Sequence, residues 1–311
     1  MSTVLVLAGL GLLALPGVAA PVARHLQPSE WRRLNRIAIG LGLAMVQLGL
    51  VLTAVPVLAG AAGVEHIAHE CHHLLGPVLP GGAVTGWASA TASVALFSVA
   101  GVIHRRTRRL QRAARIDEWV GEHRQLPEAT LVVLPIDAVV AYATPGSPSQ
   151  VVVSRGLTRV LRADELDAVV RHELAHLRNR HHRDLAIAAV VDAALGWMPG
   201  LRASTAALRL GIERSADEEA AERPGAREAT RRALLKATET MLAPLPAFTT
   251  ALTLLARLDA LATPPPHPSL RLRAAMFAPL AGLAAVALSG LLGSGAVTLH
   301  HLLDRLGLCP V

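Results

Sequence analysis

Four apolar stretches limit what this chain can fold into before any single residue is considered. Residues 3–20, 37–62, 83–103 and 278–299 carry almost no charge, and each offers about 18 residues or more, enough to cross a hydrocarbon core of about 30 Å as a helix. Charged residues make up 17% of the chain, against about 25% in soluble domains, and the deficit falls in these stretches. The expected fold is therefore a predominantly α membrane protein with four transmembrane helices. The first stretch ends in "LPGVAAP", which could pass for a signal-peptide cleavage site. No Lys or Arg precedes Arg24, so the basic start of a leader is missing and the stretch reads as a retained helix.

Arginine placement sets the orientation, because loops on the cytoplasmic side keep the cations. Arg24, Arg32, Arg33 and Arg36 lie between the first two stretches, "HRRTRRLQRAAR" follows the third, and Arg271 and Arg273 precede the fourth. Residues 63–82 contain no Lys or Arg. The expected division is a three-helix membrane region over 1–103, a cytoplasmic domain over 104–277, a fourth membrane helix over 278–299 and an outside tail over 300–311. The net charge of +7 is then mostly this asymmetry plus attraction to anionic lipid headgroups; direct nucleic-acid binding is not expected. Cys71 and Cys309 both fall in outside segments, where disulfides persist.

Within the cytoplasmic segment, residues 115–125 read as a short helix, 129–135 as a strand, and 141–157 as strand, turn and strand. Asp164 is placed to cap a helix through "ELDAVVRHELAHLRNRHH", whose Leu166, Val169, Val170, Leu174 and Leu177 recur at helical spacing. On that helix the HELAH run sets His172 and His176 four apart on one face. With 14 His in 311 residues, chance gives such a run on the order of 0.03 times, so the surroundings must decide. A catalytic zinc site uses three protein ligands at about 2.0–2.1 Å and leaves a fourth position for water. Glu173, one position round from His172, can reach that water as general base. His181 and His182 fall off this face and read as solvated polar residues.

A third ligand is available in "LGIERSADEEAAERPG" (210–225), where Glu213 precedes Asp217 by four residues. Asp217 suits the carboxylate that accepts the outer N–H of a metal-bound His. Taken alone the segment is an acidic solvated helix; beside HELAH the ligand reading prevails. Residues 185–201 and 241–256 are apolar enough to suggest further crossings. A crossing at 185–201 would carry Glu213 to the opposite side from His172, so a helix buried in the domain or lying at the membrane surface is expected. A shallow re-entrant or cleft element stays open for both.

These residues resemble a known group. HELAH followed by "ERSAD" (213–217) is similar to the gluzincin pattern of HExxH and ExxxD. The strand-turn-strand over 141–157 resembles the segment before the active helix of HtpX-like and CAAX prenyl endopeptidases, and "HPSLRLR" (267–273) resembles their HPxxxxR element. The order of spans, and "GWMPG" at 196–200, are more similar to BlaR/MecR-type membrane peptidases, which hold a zinc domain in the cytoplasm between a third and a fourth helix. The resemblance implies an α+β zincin (gluzincin-like) domain inserted between helices 3 and 4. It implies zinc bound by His172, His176 and Glu213, with Glu173 as catalytic base. His267 would stabilise the oxyanion and Arg273 would orient nearby acidic groups or substrate, with a loop-fixing role equally open for both. The substrate would be a cytoplasmic protein, a transcriptional repressor by analogy, held along an edge strand for which "QVVVS" (150–154) is the choice. Only "HHLLDRLGLCPV" follows the fourth stretch, so a beta-lactam sensor is not expected.

Two other readings stand beside this one. An HtpX-like quality-control protease would place further membrane helices between HExxH and the third ligand, and here 36 residues separate His176 from Glu213. A non-catalytic metal-sensing membrane receptor would carry a broken catalytic set, yet Glu173 is intact. In the outside loop, "VEHIAHECHHLLG" (64–76) would bring Glu65, His66, His69, Glu70 and His73 to one helical face. A zinc or copper site, a Cys71–Cys309 disulfide and a plain solvated loop all stay open there. No residue pattern sets an oligomeric state.

Overall fold

Small residues decide how the first two helices meet. The computed structural model describes residues 2–21, 26–64, 82–117, 119–240 and 247–264, the side chains of 238–252 aside, and scattered positions between 274 and 285. Helices α1 (Ser2–Ala19), α2 (Pro28–Ala61) and α3 (Gly82–Ala113) are each long and apolar enough to cross a membrane. A Cβ on Gly9 would lie 2.8 Å from the Gly42 carbonyl, and one on Gly49 would lie 2.8 Å from that of Ser2. Lipid offers helices no hydrophobic incentive to associate, so such backbone proximity is what holds the pair. The 34 residues of α2 reach about 51 Å, well beyond a bilayer core. Helix α3 likewise runs on past position 103 through Arg105 and Arg112, so that boundary falls inside a continuous helix. Most of the fourth apolar stretch lies outside the described residues. So do His267, Arg273, Cys71, Cys309 and the 65–73 histidine cluster.

Four strands form one sheet: β1 (Glu122–Gln125), β2 (Thr130–Leu134), β3 (Ala141–Thr144) and β4 (Gln150–Ser154), in the order β1-β2-β4-β3. Strand β4 is parallel to β2 and antiparallel to β3. Two sequence expectations are corrected here. "QVVVS" is not an edge: β4 is central and buried along its whole length, as an unbroken β-branched run requires when both faces are covered. Among the described residues the edges are β1 and β3, and β3 is the one beside β4. The region 115–125 is not a helix either. Gly121 takes φ 82°, and a Cβ there would come 2.5 Å from the Val133 carbonyl; the chain turns at that glycine into β1.

Six helices follow: α4 (Arg155–Val160), α5 (Ala163–Arg178), α6 (His181–Leu195), α7 (Pro199–Ala220), α8 (Ala226–Thr240) and α9 (Ala247–Ala262). The cap of α5 differs from the expected one. Arg162 is the N-cap residue, and its backbone N–H donates to Glu165 at 2.9 Å, while Asp164 sits in the first turn and pairs with Arg232. Helices α6 and α7 form a hairpin that covers 185–201. Ala188 and Val191 of α6 and Leu201, Leu208 and Ile212 of α7 share one core cluster with Leu13, Ile39 and Val46 of the first two helices. Ser204 of α7 accepts from Gly17 N–H and donates to the Ala14 carbonyl, at 3.0 and 3.1 Å. The hairpin is thus a buried arm laid against α1 and α2, with Trp197 76% exposed at its tip.

Candidate metal centre

Helical periodicity brings the first two site residues together, and a second helix crossing them brings the third. On α5, His172 Nε2 and His176 Nε2 are 3.0 Å apart. From α7, Glu213 reaches within 3.6 Å of the first and 3.7 Å of the second. One ligand atom from each of the three lies within 4.8 Å of the others. Two ligand atoms held tetrahedrally at about 2.0–2.1 Å from one zinc ion stand about 3.3 Å apart. The two imidazole nitrogens match that spacing to within a few tenths of an ångström, while Glu213 approaches each of them with a different oxygen and stands farther out.

Neighbouring groups fix how each ligand presents its lone pair. Asp217 lies 3.0 Å from His172 Nδ1, so Nδ1 donates there and Nε2 is left facing the cluster. Arg257, on α9, donates through Nε and Nη2 to both oxygens of Asp217, at 2.7 and 2.8 Å, and its Nη1 is 3.0 Å from Glu213. A planar guanidinium can hold two carboxylates at once in this way. Arg257 was not found from the sequence. The available signal was one arginine within "FTTALTLLARLDALA", a cation where an apolar helix would otherwise have none. Arg257 orients these two carboxylates, while Arg273, expected to orient acidic groups or substrate, lies outside the described residues.

His181 requires a second correction. It is 0% exposed, and its Nδ1 lies 3.0 Å from His176 Nδ1. The sequence argument extended the α5 face beyond the end of that helix. In fact Arg180 adopts a left-handed backbone, φ 54°, which reverses the chain and folds His181 back beneath His176. His182 is half-buried.

Electrostatics suit a cation. Burial opposes the His172 imidazolium, but Asp217 and Glu213 outweigh it and raise His172 to about 10. His176 falls to about 4 through burial and the charge of His172, and His181 falls to about 3 through burial and His176. Burial also opposes the Glu213 carboxylate, yet His172 and Arg257 hold it below the usual range. With Glu213 and Asp217 ionised, their two negative charges are balanced by Arg257 and the His172 imidazolium, so a cation that displaces the His172 proton would meet one negative charge in excess.

Glu173 faces a cavity of about 310 Å³ walled by Val139, Ala141, Leu157, Val169, Ala233 and Leu254, with His172 and Glu213 also on its surface. Burial raises the Glu173 carboxyl pKa. The Ala143 backbone N–H is directed toward this side chain and partly offsets that rise. Strand parity explains the contact. Ser154 N–H donates to Val140 O, so Tyr142 and Thr144 share that inward parity, and Ala141 and Ala143 turn their backbone groups away from β4.

The sequence profile of Peptidase family M48 matches residues 103–277. The Protease HtpX homolog of Aquifex aeolicus (strain VF5) is 32% identical over 107 residues, 34% of this chain and 35% of that protein. That of Gemmatimonas aurantiaca is 40% identical over 90 residues, 27% of this chain and 32% of that one. That of Thermococcus sibiricus is 35% identical over 82 residues, 24% and 28% respectively. The chain thus spans about a third of the length of these relatives. No solved structure matches it.

Proposed function

The chain belongs to peptidase family M48, and from that premise we propose that it is a multi-pass membrane zinc endopeptidase cutting protein substrates on the cytoplasmic side. His172, His176 and Glu213 would hold the ion, with Glu173 as general base. The observation that carries this reading is the convergence of two imidazole Nε2 atoms and one carboxylate beside a buried glutamate. A zinc ion held there would polarise the scissile carbonyl and bring the pKa of a bound water to about 7. Glu173 would take the proton from the attacking water and pass it to the leaving nitrogen; a raised pKa makes its carboxylate a stronger base for the first transfer. Asp217 and Arg257 keep the ligand set in register. The outward backbone groups of Ala141 and Ala143 on β3 are suited to hold an extended peptide by strand addition, directly over α5. His267 for the oxyanion and Arg273 for substrate complete the proposal.

The proposed domains are 1–103 for the membrane region, 104–277 for the peptidase, 278–299 for a fourth helix and 300–311 for an outside tail, with the helix that crosses position 103 joining the first two. For the substrate, the similarity to Protease HtpX homologs supports a general membrane protease, as does the α6–α7 hairpin laid against the membrane helices between the two ligand motifs. A regulated enzyme cutting a repressor is the second reading, and one observation favours it. Arg32 of α2 makes a buried 2.8 Å pair with Asp184 and reaches Asn179, the residue closing α5, which in turn bonds Glu219 of α7. A membrane helix is thereby tied to both ligand-bearing helices.

The test is elemental analysis and casein cleavage on the full chain in detergent. About one zinc per chain, sharply reduced in Glu213→Ala, is expected, with cleavage lost in Glu173→Gln while zinc is retained. A folded wild type without zinc would overturn the reading.

A further inference from the structure

We propose that His181 is a positioning residue for His176, serving as the neutral acceptor that keeps a proton on His176 Nδ1 and so leaves Nε2 open to the metal. The inference rests on the ligand assignment above. His176 Nε2 is the nitrogen that faces His172 and Glu213. For it to offer a lone pair, the neutral ring must carry its proton on Nδ1. That Nδ1 is 3.0 Å from His181 Nδ1, with the rings edge-on at 83° and their centroids 4.8 Å apart. His181 Nδ1 must then accept, which sends the proton of His181 to Nε2.

That nitrogen is buried and has no hydrogen-bond partner among the described residues. An unsatisfied buried N–H is costly, and an apolar side chain could fill the same space without that cost. The bond to His176 is what the imidazole provides and a leucine does not. Swapping both tautomers would reverse the bond and put an N–H on His176 Nε2, aimed at the other ligands. The histidine pair thus has two arrangements, only one of them open to a metal ion. The two ligand histidines are also held differently: His172 leans on a carboxylate, His176 on a second imidazole.

The Oδ1 of Asn or Asp occupies the position of a histidine Nδ1 along the side chain, so the acceptor can be restored without the ring. The experiment measures zinc affinity by chelator competition, and the visible bands of the cobalt-substituted protein, on the full chain in detergent. His181→Leu should weaken zinc binding about 10–100-fold and shift the cobalt bands, with thermal stability in the metal-free state kept or raised. His181→Asn should return affinity to within about threefold of wild type and restore the bands. Wild-type affinity in His181→Leu, or His181→Asn as weak as His181→Leu, would overturn the proposal. Absence of zinc from the wild type would instead overturn the ligand assignment itself, and His176→Ala serves as the reference for a lost ligand.

Discussion

The interface between α1 and α2 and the interface between α5, α7 and α9 are both tightly packed, yet opposite means hold them. At the first, glycine meets backbone: Gly9 against Gly42, Gly49 against Ser2. At the second, four charged or ionisable groups (His172, Glu213, Asp217 and Arg257) are folded against one another with little solvent. Shape alone suffices where lipid supplies the surroundings. Where a cation must be held, charges have to be buried, and each then depends on its partner. The two regimes meet in α7, whose first half packs on the membrane helices and whose second half carries Glu213 and Asp217.

The largest expected effect breaks the charged side. Arg257→Leu leaves Asp217 and Glu213 with the His172 imidazolium as their one remaining cation among the described groups here, and should destabilise the peptidase region by about 3–5 kcal/mol, read by thermal unfolding of the metal-free chain. An effect below about 1 kcal/mol would mean that the network is solvated and the contrast false. On the packed side, Gly42→Leu forces side-chain atoms into α1 and should cost about 1–3 kcal/mol, read as earlier unfolding in SDS; tolerance there would show that close approach does not hold the pair. At the junction, Ser204→Ala removes both hydrogen bonds to α1 and should cost about 0.5–1.5 kcal/mol.

Acid gives the most selective effect. Burial opposes the Glu165 carboxylate, but Lys236, the Arg162 backbone N–H and Arg232 lower its pKa from the ordinary 4.5 to about 2. Because the folded value is the depressed one, its contribution to stability is complete above pH 4.5 and disappears as the pH falls from 4.5 to about 2. Thermal melts should show this slope in wild type and a shallower one in Glu165→Gln. The α1–α2 contact, which has no carboxylate at its glycines, should keep its protease resistance over the same range.

Legibility in the sequence followed the reach of each interaction. Three membrane helices announce themselves by apolar length, and HELAH by a spacing that is local to one helix. Glu213 and Asp217 were readable because they too share one helix at a spacing of four. Arg257 was not, since its partners are 40 residues away and no periodicity marks it. His181 was misjudged because a helical wheel says nothing once Arg180 has left the helix. Strand β1, "EHRQ", is short, polar and exposed, without the alternation that identifies a strand. The central place of β4 was present in its unbroken valines, but pairing order is a long-range property.

Helix α7 would also make the bilayer part of the candidate metal centre's geometry. From Ser204, fixed against α1, to Glu213 is nine residues, roughly 14 Å of stiff helix. A tilt of about 10° at the membrane end would carry the Glu213 carboxylate about 2 Å, comparable to a whole metal–ligand bond. The thickness of the surrounding lipid or micelle would then act, through this lever arm, on Glu213, the proposed third ligand. Zinc affinity measured across detergents of increasing chain length should pass through an optimum where α1, α2 and the hairpin stand at the angle that lets α7 close the site.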